Sequence, residues 1–349
     1  MTREHPRTHA NLDLGPGGPS PPALRRLPEN AFDSVLIHSE VSYDAVYENA
    51  VQAYRLTRPG GTILFAGYGS MPEATAAVEG FRFEYGALPV QEEGDGLVGI
   101  RVPEIKDPTV TFGAALRERW KELPAARQER MFVADLARRT DAELMELWRR
   151  SRDETSGYDV RGWYQQAYKQ KFAGKTVLDF GSGFSVDGMF FAQHGAKVTF
   201  ADIVPENLAL LQRISSMLGL DTTTYYIEDF FRYDFKSKFD VVMCMGSIIN
   251  APLPFTRRQI DALRPFIVEG GTVVIFGYPK ERFETSRVRN GREFGVYTDG
   301  ERTPWCEWLD RARVQALFGA GFDVVYERNF GTSGIEFNWF ELTYSRPSP

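Results

Sequence analysis

Cysteine is nearly absent from this sequence. Cys244 and Cys306 are the two in 349 residues, which excludes a disulfide framework and leaves too few thiols for a structural zinc site. Long apolar runs are missing as well, since none approaches the ~18 residues a membrane-spanning helix needs. The stretch from Met1 to Arg26 holds Pro, Gly and Arg without the apolar heart of a secretory signal. A cytoplasmic chain with no membrane partner is therefore expected. Histidine is scarce, with four in all, and arginine outnumbers lysine, a composition that suggests a GC-rich bacterial genome. A net charge of -6 lacks the basic footprint a phosphate backbone demands, so no nucleic-acid partner is expected.

What is present is ordinary globular material: 43% hydrophobic and 25% charged residues. At roughly 100–200 residues per domain, the length allows two domains. Residues 1–30 read as a disordered tail. Residues 31–113 form a compact α/β segment, and 114–155 are charged, helix-forming and amphipathic, a helical connector. Residues 156–345 alternate strands and helices as a parallel α/β sheet does. An internal repeat runs through both halves. Phe32–Ile37 parallels Phe239–Cys244, and Gly60–Tyr68 parallels Gly270–Tyr278. Each copy reads strand, helix, Gly-Gly turn, buried strand, and the matching register points to a half-domain duplication.

The most informative stretch is Val177-Leu178-Asp179-Phe180-Gly181-Ser182-Gly183-Phe184-Ser185. A buried strand ends in an acid, then glycines, then an apolar helix. Such glycines let the backbone approach a ligand, and the helix start offers free N–H groups. The next strand ends in Asp202-Ile203, about twenty residues on, where a carboxylate can accept both hydrogens of a ribose diol. A third strand runs into Glu228-Asp229-Phe230, with Asp229 either an adenine ligand or a cap. A fourth, Phe239 to Cys244, ends in Met245-Gly246, and Glu269-Gly270-Gly271 leads to a fifth.

In this order, these positions resemble the class I S-adenosylmethionine-dependent methyltransferases over about residues 156–345. The resemblance implies a Rossmann-like seven-stranded α/β sheet closed by a C-terminal antiparallel hairpin, here Gly321–Glu327 and Phe337–Thr343. It implies S-adenosylmethionine as cofactor. Asp179, Gly181, Gly183 and Phe184 would form the loop beside its methionine part. Asp202 would hold the ribose, Ile203 and Phe230 would flank the adenine, Asp229 would face its amino group, and Met245 and Gly246 would sit near the sulfonium. Tyr158 and Tyr164 would contact the methionine end, or else form a packing stripe. A dinucleotide fingerprint wants a third glycine soon after Gly183, where Phe184, Ser185 and Val186 stand instead.

Activity is expected to be methyl transfer to a small polar molecule, a hydroxyl first and an amine next, such as a sugar or secondary metabolite. The alternatives are a NAD-dependent oxidoreductase of Rossmann topology and a non-catalytic assembly partner. His5 and His9 lie in the tail, His38 in the N-terminal half, and His194 at a helix end where it reads as structural. An acid or tyrosine must then act as base, unless the acceptor is acidic enough to need none. Tyr278, Asp299 and Glu307 are the candidates, because loops at strand carboxyl ends face the ligand in open α/β sheets. Trp305 and Trp308 read equally as pocket wall and as core. No metal site is evident. The N-terminal segment resembles the second half of such a domain but reads as lacking its glycine loop and acidic strand end. It is expected to dock on the C-terminal domain or to mediate a homodimer.

Overall fold

The computed structural model describes residues 11–14, 21–24, 26–38, 42–94, 96–126, 129–332 and 336–346. It divides into two compact units, Met1–Ala115 with Asn290–Glu293, and Leu116–Arg289 with Phe294–Pro349. His5 and His9 lie outside the described residues. Among the described residues, no helix is long and apolar enough to cross a membrane.

The first unit holds β1 (Asn11–Leu14), β2 (Phe32–Ile37), β3 (Thr57–Ala66), β4 (Val90–Gly94) and β5 (Leu97–Arg101), in the order β1-β2-β3-β5-β4. Helices Tyr43–Leu56 and Pro72–Glu84 pack on it. Val35, Ile37, Ala50, Ile63, Phe65, Phe81 and Ile100 fill its core. The second unit begins with a hairpin, β6 (Glu122–Ala126) and β7 (Glu129–Phe132). Helices Val133–Ala137 and Asp141–Thr155 follow, the latter started by a Thr140/Glu143 capping box. Its main sheet comprises β8 (Thr176–Phe180), β9 (Lys197–Asp202), β10 (Thr223–Tyr226), β11 (Phe239–Met245) and β12 (Ile267–Pro279). The two-residue β13 (Trp308–Leu309) pairs with β12, and β14 (Phe322–Phe330) and β15 (Phe337–Tyr344) form the hairpin.

The order is β10-β9-β8-β11-β12-β15-β14, parallel from β10 to β12, with β15 antiparallel to both its neighbours. This is the expected seven-stranded path with its closing hairpin. Alternation along the strands explains the two cores. Val177, Val198, Phe200, Val241 and Met243 face one helical layer. Leu178, Phe180, Ala201, Val242 and Ile275 face the other. Strands buried on both faces read as near-continuous apolar runs, which is how they stand in the sequence. Chain order reverses at β8, so a crevice opens at the carboxyl ends of β8, β9 and β11.

The repeat in the sequence is also a repeat of topology. Ser34 pairs with Thr62 as Val241 pairs with Thr272, each pair following a register shift. On the other side of these strands β5 and β15 run antiparallel. Two expectations need correction here. Asn11–Leu14 is a parallel strand with Leu14 buried, and Pro21–Leu24 is helical with Leu24 buried, so 1–30 is not simply a disordered tail. Nor does the first unit lack an acidic strand end. Asp13 pairs with Leu36 as Asp179 pairs with Met243, and the sequence continues Gly15-Pro16-Gly17 as it does Gly181-Ser182-Gly183. Among the described residues, nothing in the first unit corresponds to β9 and β10. The helical connector likewise holds an unforeseen hairpin, because Pro124 lacks the N–H an interior helical turn requires.

Candidate functional site

The second unit encloses a cavity of about 720 Å³. The loop after β8 forms its floor. Gly181 and Gly183 both have left-handed backbones, φ +75° and +54°, and a methyl on Gly181 would overlap Ser247 Cβ. The loop is tied down from both sides. Gly181 N donates to Ala201 O at 2.8 Å, and Ser182 Oγ donates to Asp179 O at 2.7 Å. Ser185 Oγ donates to Asp179 Oδ2 at 2.5 Å. Phe184 lines the cavity with the glycines.

Asp202 ends β9 with 3% exposure. Its carboxylate accepts from Gly183 N at 2.9 Å, Val204 N at 2.8 Å and Asn207 Nδ2 at 3.2 Å. Asn207 Oδ1 is buried in the same wall with no partner, and so is the whole carboxamide of Asn250. A buried polar atom without a partner costs its desolvation, so these groups suit a ligand that brings both donors and acceptors. Ile203, Phe230, Met245 and Gly246 also line the cavity. Arg117 braces this part. Its guanidinium donates to Ile203 O at 2.7 Å, to Ile227 O at 2.9 Å and to Glu228 O, and lies 4.8 Å from the Phe230 ring centroid.

A second polar group in the cavity surrounds Asp299. Tyr278 Oη donates to Asp299 Oδ1 at 3.2 Å, Arg130 Nη2 donates to the same oxygen at 2.9 Å, and Thr298 Oγ1 to Oδ2 at 3.1 Å. Arg119 Nη2 holds the Asp299 carbonyl at 2.8 Å. Burial, with the Asp299 charge second, pushes the Tyr278 phenol well above its ordinary value, so it stays a proton donor. Arg161 pairs with Asp187 at 2.8 Å, and Gln165 supports that carboxylate at 2.9 Å. Gly162 allows the turn carrying Arg161, since a side chain there would strike Ser156 O.

Several expected residues stand elsewhere. Asp229 is exposed and accepts from Phe231 N at 2.8 Å, so it caps its own turn outside the cavity lining. Tyr158 is 63% exposed. Tyr164 is fully buried, stacked on Trp339 at 4.5 Å, and belongs to the aromatic core rather than to the wall. Glu307 is buried between Trp305 Nε1 and Arg313 Nη1, both at 2.7 Å, and does not line the cavity. Trp305 and Trp308 are packing residues; the aromatic side chains lining the cavity around Asp299 include Phe276, Tyr278, Tyr297 and Phe337. Sequence reading missed Arg117, Arg130, Arg161, Asp187, Asn207 and Asn250. Of these, only Asp187 carried a local signal, directly after the glycine loop.

Burial raises the Asp179 carboxyl to about 7, with the charges of Asp187 and Asp202 adding to the rise and the Ser185 hydrogen bond opposing it. Burial likewise raises Asp202 to about 6 against its hydrogen bonds. A carboxyl whose folded value lies above its unfolded value binds protons more tightly when folded. Its ionisation therefore destabilises the fold as pH rises from about 4 to about 7. The ligand-free protein is expected to lose thermal stability over that window. Asp179→Asn should flatten the slope, measured by calorimetric melting at pH 4.5–7.5, and an unchanged slope would refute the assignment.

Residues 177–271 match the family model described as a methyltransferase domain. A ubiquinone biosynthesis O-methyltransferase of Actinobacillus pleuropneumoniae is 25% identical over 203 residues, covering 51% of this chain and 83% of that protein. One from Psychrobacter arcticus is 30% identical over 122 residues, covering 34% of this chain; the match spans about half of that relative, 46%. Among solved structures, magnesium protoporphyrin IX methyltransferase from Synechocystis is similar at 20% identity and a TM-score of 0.42, covering 59% of this chain and 96% of that one.

Proposed function

We propose that this chain, whose second unit carries a class I S-adenosylmethionine-dependent methyltransferase domain, methylates a hydroxyl group of a small polar molecule. The observation that supports this best is one cavity uniting a loop opened by Gly181 and Gly183, the buried Asp202 carboxylate and the Tyr278–Asp299 pair. The donor set fits the cofactor. Asp202 and the unpartnered Asn207 Oδ1 are acceptors suited to a ribose diol, Ile203 and Phe230 are apolar walls for a base, and Gly181 and Gly183 leave room for an amino-acid tail. When bound, S-adenosylmethionine supplies a methyl group already activated on a sulfonium sulfur.

The chain's own residues then have to position the acceptor and exclude water. Holding reactants in line is worth ~7–11 kcal/mol in favourable cases. Asp299 is the general base of this reading. Tyr278, kept protonated, donates to Asp299 and orients it, while Arg130 and Thr298 fix both carboxylate oxygens. Oxygen as the accepting atom is supported by the names of the matched relatives, which are O-methyltransferases. The antiparallel β15 between β12 and β14 favours this reading over a dinucleotide enzyme, whose doubly wound sheet continues in parallel.

Calorimetric titration with S-adenosylhomocysteine tests the cofactor half. Asp202→Ala leaves Gly183 N, Val204 N and Asn207 Nδ2 without their acceptor and removes the diol's charged partner. Affinity should fall roughly 10–100-fold, the loss of one or two charge-assisted hydrogen bonds. Equal affinity in the variant would count against the assignment.

A further inference from the structure

We propose that the methyl acceptor carries a carboxylate, taken by Arg282 in the cavity wall; this rests on the methyltransferase reading. Arg282 stands in the first turn of helix Lys280–Ser286, directly after β12. Its guanidinium lies 4.7 Å from the Tyr278 ring centroid and 5.9 Å from that of Tyr297, and Nη1 donates to Glu336 O at 3.1 Å. Among the described residues, no carboxylate lies within ion-pairing distance of it. The other cavity cations differ, for Arg161 has Asp187 and Arg130 has Asp299, each pair within 3 Å. Arg130 nevertheless keeps Nη1 buried without a partner. Two guanidinium groups, one unpaired and one half-used, therefore flank the Tyr278–Asp299 pair that faces the acceptor.

Arg282 is half-buried at the edge of the cavity, and a neutral sugar would give its guanidinium no anionic partner, where a charged acceptor would. A carboxylate matches a guanidinium fork with two parallel charge-assisted bonds. Phe337, stacked on Tyr278 at 5.5 Å, adds a flat surface for the acceptor's body. The class indicated is an aromatic hydroxy acid, its hydroxyl at Asp299 and its carboxylate at Arg282.

The test uses the full chain saturated with S-adenosylhomocysteine, titrated with 3,4-dihydroxybenzoate and its neutral analogue 3,4-dihydroxybenzamide. The benzoate should bind about 10–100-fold more tightly, the range of a charge-assisted bond. Arg282→Gln should erase that difference, Arg282→Lys should keep part of it, and both should retain wild-type affinity for the homocysteine compound. Equal binding of the two probes, binding of neither, or a difference that survives Arg282→Gln overturns the proposal while leaving the methyltransferase reading intact. Failure of S-adenosylhomocysteine itself to bind overturns both.

Discussion

Replacing Asp299 by Asn should lower kcat by about 10²–10⁴-fold, the usual contribution of a general base, while S-adenosylhomocysteine affinity stays at the wild-type value. The substitution is nearly isosteric. An amide oxygen can still accept from Arg130 Nη2 and Tyr278 Oη, so the wall keeps its shape and loses only its capacity to take a proton. Tyr278→Phe should cost less, roughly tenfold, because it removes an orienting donor and not the base. Single-turnover kinetics separate these effects from binding. A full-rate Asp299→Asn enzyme would show that the acceptor reacts without a base, or that the base lies elsewhere.

The largest structural effect is expected at Gly181. A valine there must adopt φ +75°, a region β-branched residues avoid, and its Cβ must displace Ser247. Left-handed strain alone is of order 1–3 kcal/mol. With the overlap added, a loss of about 3 kcal/mol or more would lower the Tm by roughly 6–12 °C at ~2–4 °C per kcal/mol. Cofactor affinity should fall with it. Gly195→Ala is the control, since Gly195 has φ +90° but nothing within 4 Å of an added Cβ. If both variants melt alike, the overlap with Ser247 contributes nothing and the cradle is looser than described.

Much of this site was legible because its chemistry is local. Asp179, Gly181 and Gly183 lie within five positions of one another, and Asp202 ends the next strand, so spacing alone brings them together. The repeat was legible for the same reason, as Phe32–Ile37 and Phe239–Cys244 share both composition and register. The four-residue β1 was not. Its ladder with β2 depends on residues more than twenty positions away, and the Pro/Gly run after it hides the pattern. The helix-forming composition of residues 122–132 likewise yielded to tertiary pairing.

Charged residues were the hardest to read. Glu307 stood in the right loop, yet Trp305 and Arg313 turn its carboxylate into the core. Arg130, Arg161 and Arg282 come from three distant segments; Arg130 stands in a charged stretch that looks in sequence like a solvated face, whereas Arg282 stands in the strand-end loop expected to face the ligand. Only the folded chain shows that all three reach one cavity. Asp229 failed for the opposite reason, since the short-range bond to Phe231 N suffices to hold it.

Diffraction from crystals of the full chain soaked with S-adenosylhomocysteine would test the central claim most directly. One nucleoside per chain is expected, its base between Ile203 and Phe230 and its ribose hydroxyls on Asp202. Density in the first unit, at the carboxyl ends of β1 and β2, or an empty cavity under saturating ligand, would contradict it.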